Sequence, residues 1–231
     1  MTPVAPATAS SIQAASARWA ETALRFDAQP ALYADPSWLP GWAVNSPRPL
    51  PLRIERELSN WLLAVQQVGA PSDWGACCGA ARLFMIDAPA RDAVALAVGV
   101  AAQRGVLRQV VLQARIKSLQ QALGDALDTL WSPLAESVPH ETQTLSLSWR
   151  EFDAAALRQT LQHAGLRQLL RLLNPADPAQ HPMAARAALC APRLWPQPAQ
   201  PVLDAAQTER LSALIVQTAV PQWASAWTWL F

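Results

Sequence analysis

The chain has 231 residues, of which 52% are hydrophobic and 15% are charged. This apolar content is enough to bury a core, so extensive disorder is excluded, and the length suits one domain or slightly more. The 18 Lys and Arg residues nearly balance the 17 Asp and Glu residues, which gives a net charge of +1 and disfavours a basic nucleic-acid-binding protein.

The N-terminal residues 1–23 are rich in small side chains and lack both the basic start and the apolar run of a secretory signal peptide. We expect them to form a loose, flexible N-terminal extension with a short helix near Ser16 to Leu24. A single domain over residues 24–231 follows. Prolines recur through residues 26–51 and should divide this segment into turns and short helical pieces.

The first strong helical pattern comes next. Apolar side chains recur at the spacing of one helix face, at Ile54, Leu58, Trp61, Leu62, Val65 and Val68. This spacing predicts a helix with Trp61 in the core, ended by Gly69 and Pro71.

A second helix is predicted from Ala90 to Arg104, with Asp87 as its N-cap and Pro89 in its first turn. Its sequence is apolar nearly all round, which is typical of a buried helix. Gly99 would let a neighbouring helix approach closely, because glycine has no side chain to keep the two backbones apart.

The second half of the chain also carries helix signals. Residues 106–131 place leucines and valines on one side, and Ser148 to Glu151 resemble a capping box that would begin a helix, which we expect to break at Gly165. The prolines of residues 174–203 predict a long loop around a short helix from Met183 to Leu189.

Another box-like cap, formed by Asp204 and Gln207, would begin the last helix. No segment alternates between apolar and polar residues with a period of two. The sequence therefore predicts an all-α fold, a single irregular bundle of roughly seven to nine helices.

The C-terminal segment from Leu211 to Phe231 contains no charged residue, yet polar side chains and Pro221 interrupt it. We expect a buried terminal helix with a tryptophan-rich tail rather than a membrane-spanning helix. A tail-anchored protein is the alternative. Trp223, Trp227 and Trp229 should pack against the bundle, although tryptophans also suit an exposed surface for a partner.

No familiar catalytic or ligand-binding motif occurs in the sequence. Phosphate-binding glycine loops and metal-ligand spacings are missing, so we predict no catalytic residue, no metal site and no cofactor. The alternative is a thiol enzyme that uses Cys77 or Cys78 with His163 and an acid such as Asp73. The odd number of cysteines is typical of a reducing, cytoplasmic setting.

Two segments together resemble a known family. The first runs from Leu24 to Pro40 and reads LRFDAQPALYADPSWLP; the second runs from Val98 to Leu112 and reads VGVAAQRGVLRQVVL. They are similar to the SctK proteins (YscK, PscK and HrpD-like), accessory proteins of the type III secretion sorting platform. Asp35 and Gln103 stand where the family often has histidine, whereas Gly99 and Arg108 match.

The resemblance implies an all-helical, non-enzymatic adaptor at the cytoplasmic face of the bacterial inner membrane. Its implied partners are the cytoplasmic domain of the ring protein SctD and the spoke protein SctQ, and indirectly the stator SctL and the ATPase SctN. Nucleic acid and direct membrane insertion are not expected. A type III secretion chaperone or a secreted effector is the alternative.

Five residues are predicted to bind partners. Tyr33, Trp38 and Leu39 belong to the first family-like segment. Arg104 and Arg108 lie in the second, on a basic face that could dock an acidic partner.

Overall fold

The prediction of an all-α fold is confirmed. A computed structural model describes residues 9–46, 49–68, 70–75, 77–112, 116–139, 153–193 and 203–231, with the backbone alone for 9–15, 111 and 112. Within these ranges the regular structure is helical throughout and contains no strand. The predicted capping box from Ser148 to Glu151 and the helix stop at Gly69 lie outside the described residues.

The α-helices are α1 Ala9–Ala28, α2 Gly41–Val44, α3 Leu52–Val65, α4 Ala88–Ala102, α5 Arg104–Leu112, α6 Ile116–Leu123, α7 Pro133–Ser137, α8 Ala154–Leu170, α9 His181–Ala188, α10 Ala205–Leu214 and α11 Val220–Trp223. Short 3₁₀ helices span Pro30–Leu32, Pro36–Trp38, Gly79–Met85, Gly124–Trp131 and Ser225–Leu230, and a π-helical turn spans Ile215–Ala219.

Helices α4 and α8 form the central pair of the fold, and two glycines bring them together. A Cβ atom on Gly99 would overlap the carbonyl oxygen of Leu161, and a Cβ on Gly165 would overlap that of Ala95. The predicted role of Gly99 is therefore confirmed. The expected break at Gly165 is wrong, because α8 continues through this residue, where glycine admits the backbone of α4 instead of ending the helix.

Among the described residues, aspartates cap three α-helices of the bundle. Asp87 accepts a hydrogen bond from the Ala90 backbone N–H at the start of α4, as predicted. Asp204 and Gln207 form the predicted capping box of α10. The carboxylate of Asp153 accepts hydrogen bonds from two backbone N–H groups at the start of α8. These caps satisfy N–H groups that have no partner inside the helix.

Helix α1 is longer than predicted and belongs to the bundle. It runs without interruption through the predicted domain boundary at residue 23. Ala23 and Phe26 are buried in the main hydrophobic cluster, and Trp19 packs against that cluster. The predicted helix near Ser16 to Leu24 is therefore part of a longer helix, which suits the small side chains of this segment because alanine is the strongest helix former. The looseness of residues 1–23 stays a prediction.

Helices α2 and α3 form a smaller packing unit. Leu39, Ala43, Leu58 and Leu62 are buried together in a separate hydrophobic cluster. The prediction that Trp61 is a core residue is wrong, since its side chain is 43% exposed. The apolar face of α3 is therefore only partly buried: Leu58 and Leu62 lie in the core, whereas Trp61 and Val65 are exposed.

The C-terminal residues pack as predicted. The 3₁₀ helix Ser225–Leu230 follows α11, and Trp227 and Trp229 stack with ring centroids 5.9 Å apart. Arg82 Nη1 donates to the carbonyl oxygen of Leu230 over 2.8 Å, and the Arg18 guanidinium lies 4.1 Å from the Trp229 ring centroid. Among the described helices, none has both the length and the hydropathy that crossing a membrane requires.

Candidate functional site

A cleft opens along one side of the α4–α8 pair. Its walls are the chain from Leu32 to Pro36, the first turn of α4, the middle of α8 and the residues that follow α9. The cavity has a volume of about 400 Å³, within the range of small-molecule sites. Its ionisable side chains are Tyr33, Asp35, Arg91, Asp92, His163 and Cys190.

Contacts between distant segments build one wall of the cleft. The backbone N–H of Asp35 donates to the Leu189 carbonyl oxygen over 2.7 Å. The Trp38 indole Nε1 donates to the Ala191 carbonyl oxygen, also over 2.7 Å, and the Arg193 N–H donates to Ser37 Oγ over 2.8 Å. The first family-like segment is therefore held against the end of α9 by three hydrogen bonds.

Arg91 is the unusual residue of this cleft. It lies in the first turn of α4 and is only 4% exposed. Its Nε and Nη1 atoms are buried without a hydrogen-bond partner among the described residues, and no salt bridge to Arg91 is found there. Because burying an unpaired charge is costly, the packing of the described residues does not account for Arg91.

Burial shifts the pKa of three other groups of the cleft toward the neutral form. Burial raises the pKa of the Asp92 carboxyl, although the Arg91 charge opposes the shift. Burial, with help from the Arg167 charge, lowers the pKa of His163 below its usual value. Burial also raises the pKa of the Cys190 thiol. A cysteine, a histidine and acids thus line one cleft, yet these shifts oppose the thiolate that a nucleophilic cysteine needs.

The predicted thiol-enzyme set is not brought together. His163 lines the cleft with Cys190, whereas Cys78 lines a different cavity beside Arg171 and Glu209. Burial and the neighbouring Cys78 raise the pKa of the Cys77 thiol to about 11. In the part of the chain that the structure describes, no group of histidine, cysteine and acidic residues is placed to hold a metal ion.

The residues predicted from the first family-like segment make contacts within the chain. The Tyr33 hydroxyl donates to the Phe26 carbonyl oxygen over 3.0 Å, and the two rings stack at 4.5 Å. Trp38 is half-buried, and Leu39 is buried. These three side chains position the cleft wall, and their binding of a partner stays a prediction.

Arg104 and Arg108 also bond to their own chain. Arg104 Nη1 donates to the Val138 carbonyl oxygen over 2.8 Å. Arg108 Nη2 donates to the Leu130 carbonyl oxygen over 2.6 Å and forms a salt bridge with Glu136 at 2.8 Å. Both arginines remain partly exposed, so their predicted partner binding also stays a prediction.

Two sets of exposed apolar side chains lie apart from the cleft. The exposed apolar side chains Trp42 and Val44 of α2 and Trp61 and Val65 of α3 are here called the α2–α3 surface, with Trp42 54% exposed. The Trp131 surface consists of Trp131, which is 63% exposed, and Arg108, whose guanidinium lies 5.1 Å from the Trp131 ring centroid. Exposed tryptophan next to arginine is typical of protein interfaces.

Comparison of the chain with protein-family models, with curated proteins and with solved structures finds no match. The family resemblance consequently depends on the two segments quoted above.

The main residue that sequence reasoning missed is Arg91. A signal was present, because the prediction of a helix buried nearly all round placed this arginine beside that helix's apolar run. A charged residue at a buried position requires either a partner or a function. Neither the spacing of the cleft residues nor any local motif could have revealed the remaining walls, which come from distant parts of the chain.

Proposed function

We propose that the protein is a non-enzymatic adaptor of the type III secretion sorting platform, acting at the cytoplasmic face of the bacterial inner membrane. It would hold the cytoplasmic domain of SctD at one surface and SctQ at another, and would reach SctL and SctN through SctQ. The observation that supports this proposal best is the presence of two exposed tryptophan surfaces on different packing units.

The two surfaces belong to elements that contribute to different hydrophobic clusters. Helices α2 and α3, which carry the α2–α3 surface, contribute Ala43, Leu58 and Leu62 to one cluster. Trp131 comes directly after Leu130 in the sequence, and Leu127 and Leu130 belong to another cluster. A connector needs two such areas so that the binding of one partner leaves the other area free, and exposed apolar patches are a usual mark of protein interfaces.

The family-like segments support the proposal through their structural roles. The segment from Leu24 to Pro40 is bonded to the end of α9, and Gly99 in the second segment allows the closest approach of α4 and α8. The residues that carry the resemblance therefore form a framework that positions the exposed surfaces.

Co-purification tests the proposal. The full chain is mixed separately with the SctD cytoplasmic domain and with SctQ, and both should be captured. A Trp42→Ala/Trp61→Ala variant and a Trp131→Ala variant should each lose one partner, with affinity falling roughly 30-fold or more, while retaining the other. Leu24→Ala, which alters an exposed leucine of α1 outside both surfaces, is the matched control.

Capture of neither partner would contradict the proposal. Secretion of the chain itself into the culture medium would instead favour the effector alternative. If both tryptophan variants lost both partners while their circular dichroism spectra stayed unchanged, the assignment of separate surfaces would be wrong.

A further inference from the structure

We propose that the cleft beside the first turn of α4 binds a single carboxylate group, which the buried guanidinium of Arg91 holds. The proposal does not depend on the adaptor function. It follows from the lining, charge and size of the cleft and from the two nitrogens of Arg91 that have no partner among the described residues.

Arg91 carries a buried positive charge that the described residues leave partly unpaired. Its side chain is nine-tenths buried or more, and its Nε and Nη1 hydrogens have no acceptor among the described residues. A hydrogen-bond acceptor brought by a ligand would lower the cost of burying these nitrogens, and a negatively charged acceptor would lower it the most. The first turn of α4 also contributes the positive end of a helix dipole to the same wall.

The acids of the cleft restrict the charge of the ligand. Asp35 and Asp92 both line the wall, and Asp35 already accepts a hydrogen bond from the Ser37 N–H over 2.9 Å. Two nearby acids would repel a phosphate dianion more strongly than a carboxylate, which carries one charge. The cleft therefore suits a monoanion.

The rest of the wall indicates the body of the ligand. Leu32 and Leu166 supply apolar surface, and the Gln159 and Gln162 amides can donate or accept hydrogen bonds. An organic acid with a short apolar chain fits this lining. The same chemistry occurs in a free small carboxylic acid and in a glutamate side chain presented by another polypeptide.

Ligand titration of the full chain tests the proposal. The probes are sodium propionate and N-acetylglutamate N-methylamide, matched to the neutral propionamide and N-acetylglutamine N-methylamide, with inorganic phosphate as a further probe. Binding is followed by the melting temperature and by the ¹H–¹⁵N signals of the arginine Nε groups. The carboxylates should bind at least about tenfold more tightly than their amides and should shift one arginine signal.

Two variants assign the effect to the cleft. Arg91→Met should abolish carboxylate binding without lowering the melting temperature, because it removes an unpaired buried charge. Arg158→Met, which alters an exposed arginine of α8, should retain binding. Should Arg91→Met fail to fold, Ala88→Leu provides the second test, since it narrows the cleft at the start of α4 and should weaken propionate binding.

Each binding result either supports or overturns the carboxylate site. Tighter binding of propionate would identify a free acid as the source, and tighter binding of the glutamate compound would identify a polypeptide side chain; both support a carboxylate site. Equal binding of acids and amides would overturn the proposal, and so would tighter binding of phosphate. Unchanged carboxylate binding by a folded Arg91→Met protein or by Ala88→Leu would also overturn it.

Discussion

Arg186 and Arg91 are equally buried, each with 4% of its surface exposed, but their surroundings differ. Arg186 Nε donates to the Asp27 carbonyl oxygen over 3.1 Å, and its Nη1 donates to the carbonyl oxygens of Ala70 and Pro182 over 2.9 and 3.1 Å. The Asp27 carboxylate lies 3.4 Å from Nε. Within the described part of the chain, Arg91 Nε and Nη1 have no corresponding partners.

The difference in hydrogen bonding indicates that one buried arginine serves the stability of the fold and the other serves binding. Arg186 ties α9 to the end of α1 and to the chain near Ala70, so its charge contributes to holding the fold together. Among the described residues, Nε and Nη1 of Arg91 have no bond that would offset their desolvation, and a buried charge of this kind can be retained at a functional site despite its cost. The next experiments test whether stability and binding divide between the two arginines in this way.

Arg186→Met should have the largest effect. Removing one partner of a buried ion pair leaves Asp27 without its counter-charge and leaves three carbonyl oxygens short of a donor. We expect the free energy of unfolding to fall by about 3–5 kcal/mol, measured by urea denaturation. Arg53→Met, which breaks the exposed pair with Glu57, is the control and should cost about 1 kcal/mol or less. Equal losses in the two variants would refute the structural role of Arg186.

Gly165→Ala should disturb the region of Arg91 and leave the bonds of Arg186 in place. The added methyl group would overlap the Ala95 carbonyl oxygen, so α4 and α8 must separate beside the cleft. Overpacking of this kind costs about 1–3 kcal/mol.

Gly41→Ala is the matched control, because no atom lies within 4 Å of its added Cβ atom. This variant should raise the free energy of unfolding by about 0.4–1 kcal/mol. Urea denaturation gives both values, and propionate binding should weaken only in the Gly165 variant. A Gly165→Ala protein with wild-type stability would mean that the helix crossing is looser than described.

The next variant, Tyr33→Phe, changes a residue whose pKa is affected by the charges of both Arg186 and Arg91. Burial raises the pKa of Tyr33, and the charges of Arg186 and Arg91 both oppose that shift. The variant keeps the ring stacked on Phe26 but loses the hydroxyl bond to the Phe26 carbonyl oxygen. We expect a loss of about 0.5–1.5 kcal/mol in urea denaturation, with carboxylate binding retained. Loss of binding with unchanged stability would place the hydroxyl in the ligand site instead.

Particular residues show how far the sequence could be interpreted. Helix capping by Asp87 and Asp204 and the close approach at Gly99 were predictable, because the controlling residues are neighbours in the chain or have one dominant use. Trp61 was not, because spacing identifies an apolar face but does not say whether the chain covers it. Gly165 was misjudged because glycine inside a helix signals either a break or a close contact, and only the position of α4 decides.

The candidate site was less predictable than the fold for a similar reason. Arg91 and Asp92 are adjacent in sequence, whereas His163 and Cys190 reach the cleft from α8 and from the end of α9. Their convergence depends on the packing of α4 against α8 and on the hydrogen bonds that hold residues 35–38 to residues 189–193. No local pattern encodes those contacts.

The smallest predicted effect concerns His163, which lines the same cleft as Arg91. Its pKa in the folded chain lies below the ordinary value of 6.5 because burial and the Arg167 charge disfavour protonation, against the weaker opposing charges of Asp35 and Asp92. As the pH falls below 6.5, the unfolded chain takes up the proton first, so the stability of the folded protein decreases until the folded-state pKa is passed. Above that range His163 should add no pH dependence.

His163→Gln should therefore flatten part of the decline in melting temperature between about pH 7 and pH 5. Arg186→Met should lower the whole curve but keep the His163 contribution, because Arg186 is not among the charges that shift this histidine. The difference between wild type and His163→Gln, measured at each pH with and without Arg186→Met, isolates the effect. A wild-type melting temperature that rises relative to that of His163→Gln as the pH falls would mean that the folded protein favours the imidazolium. The cleft would then stabilise a cation, in conflict with an unpartnered Arg91.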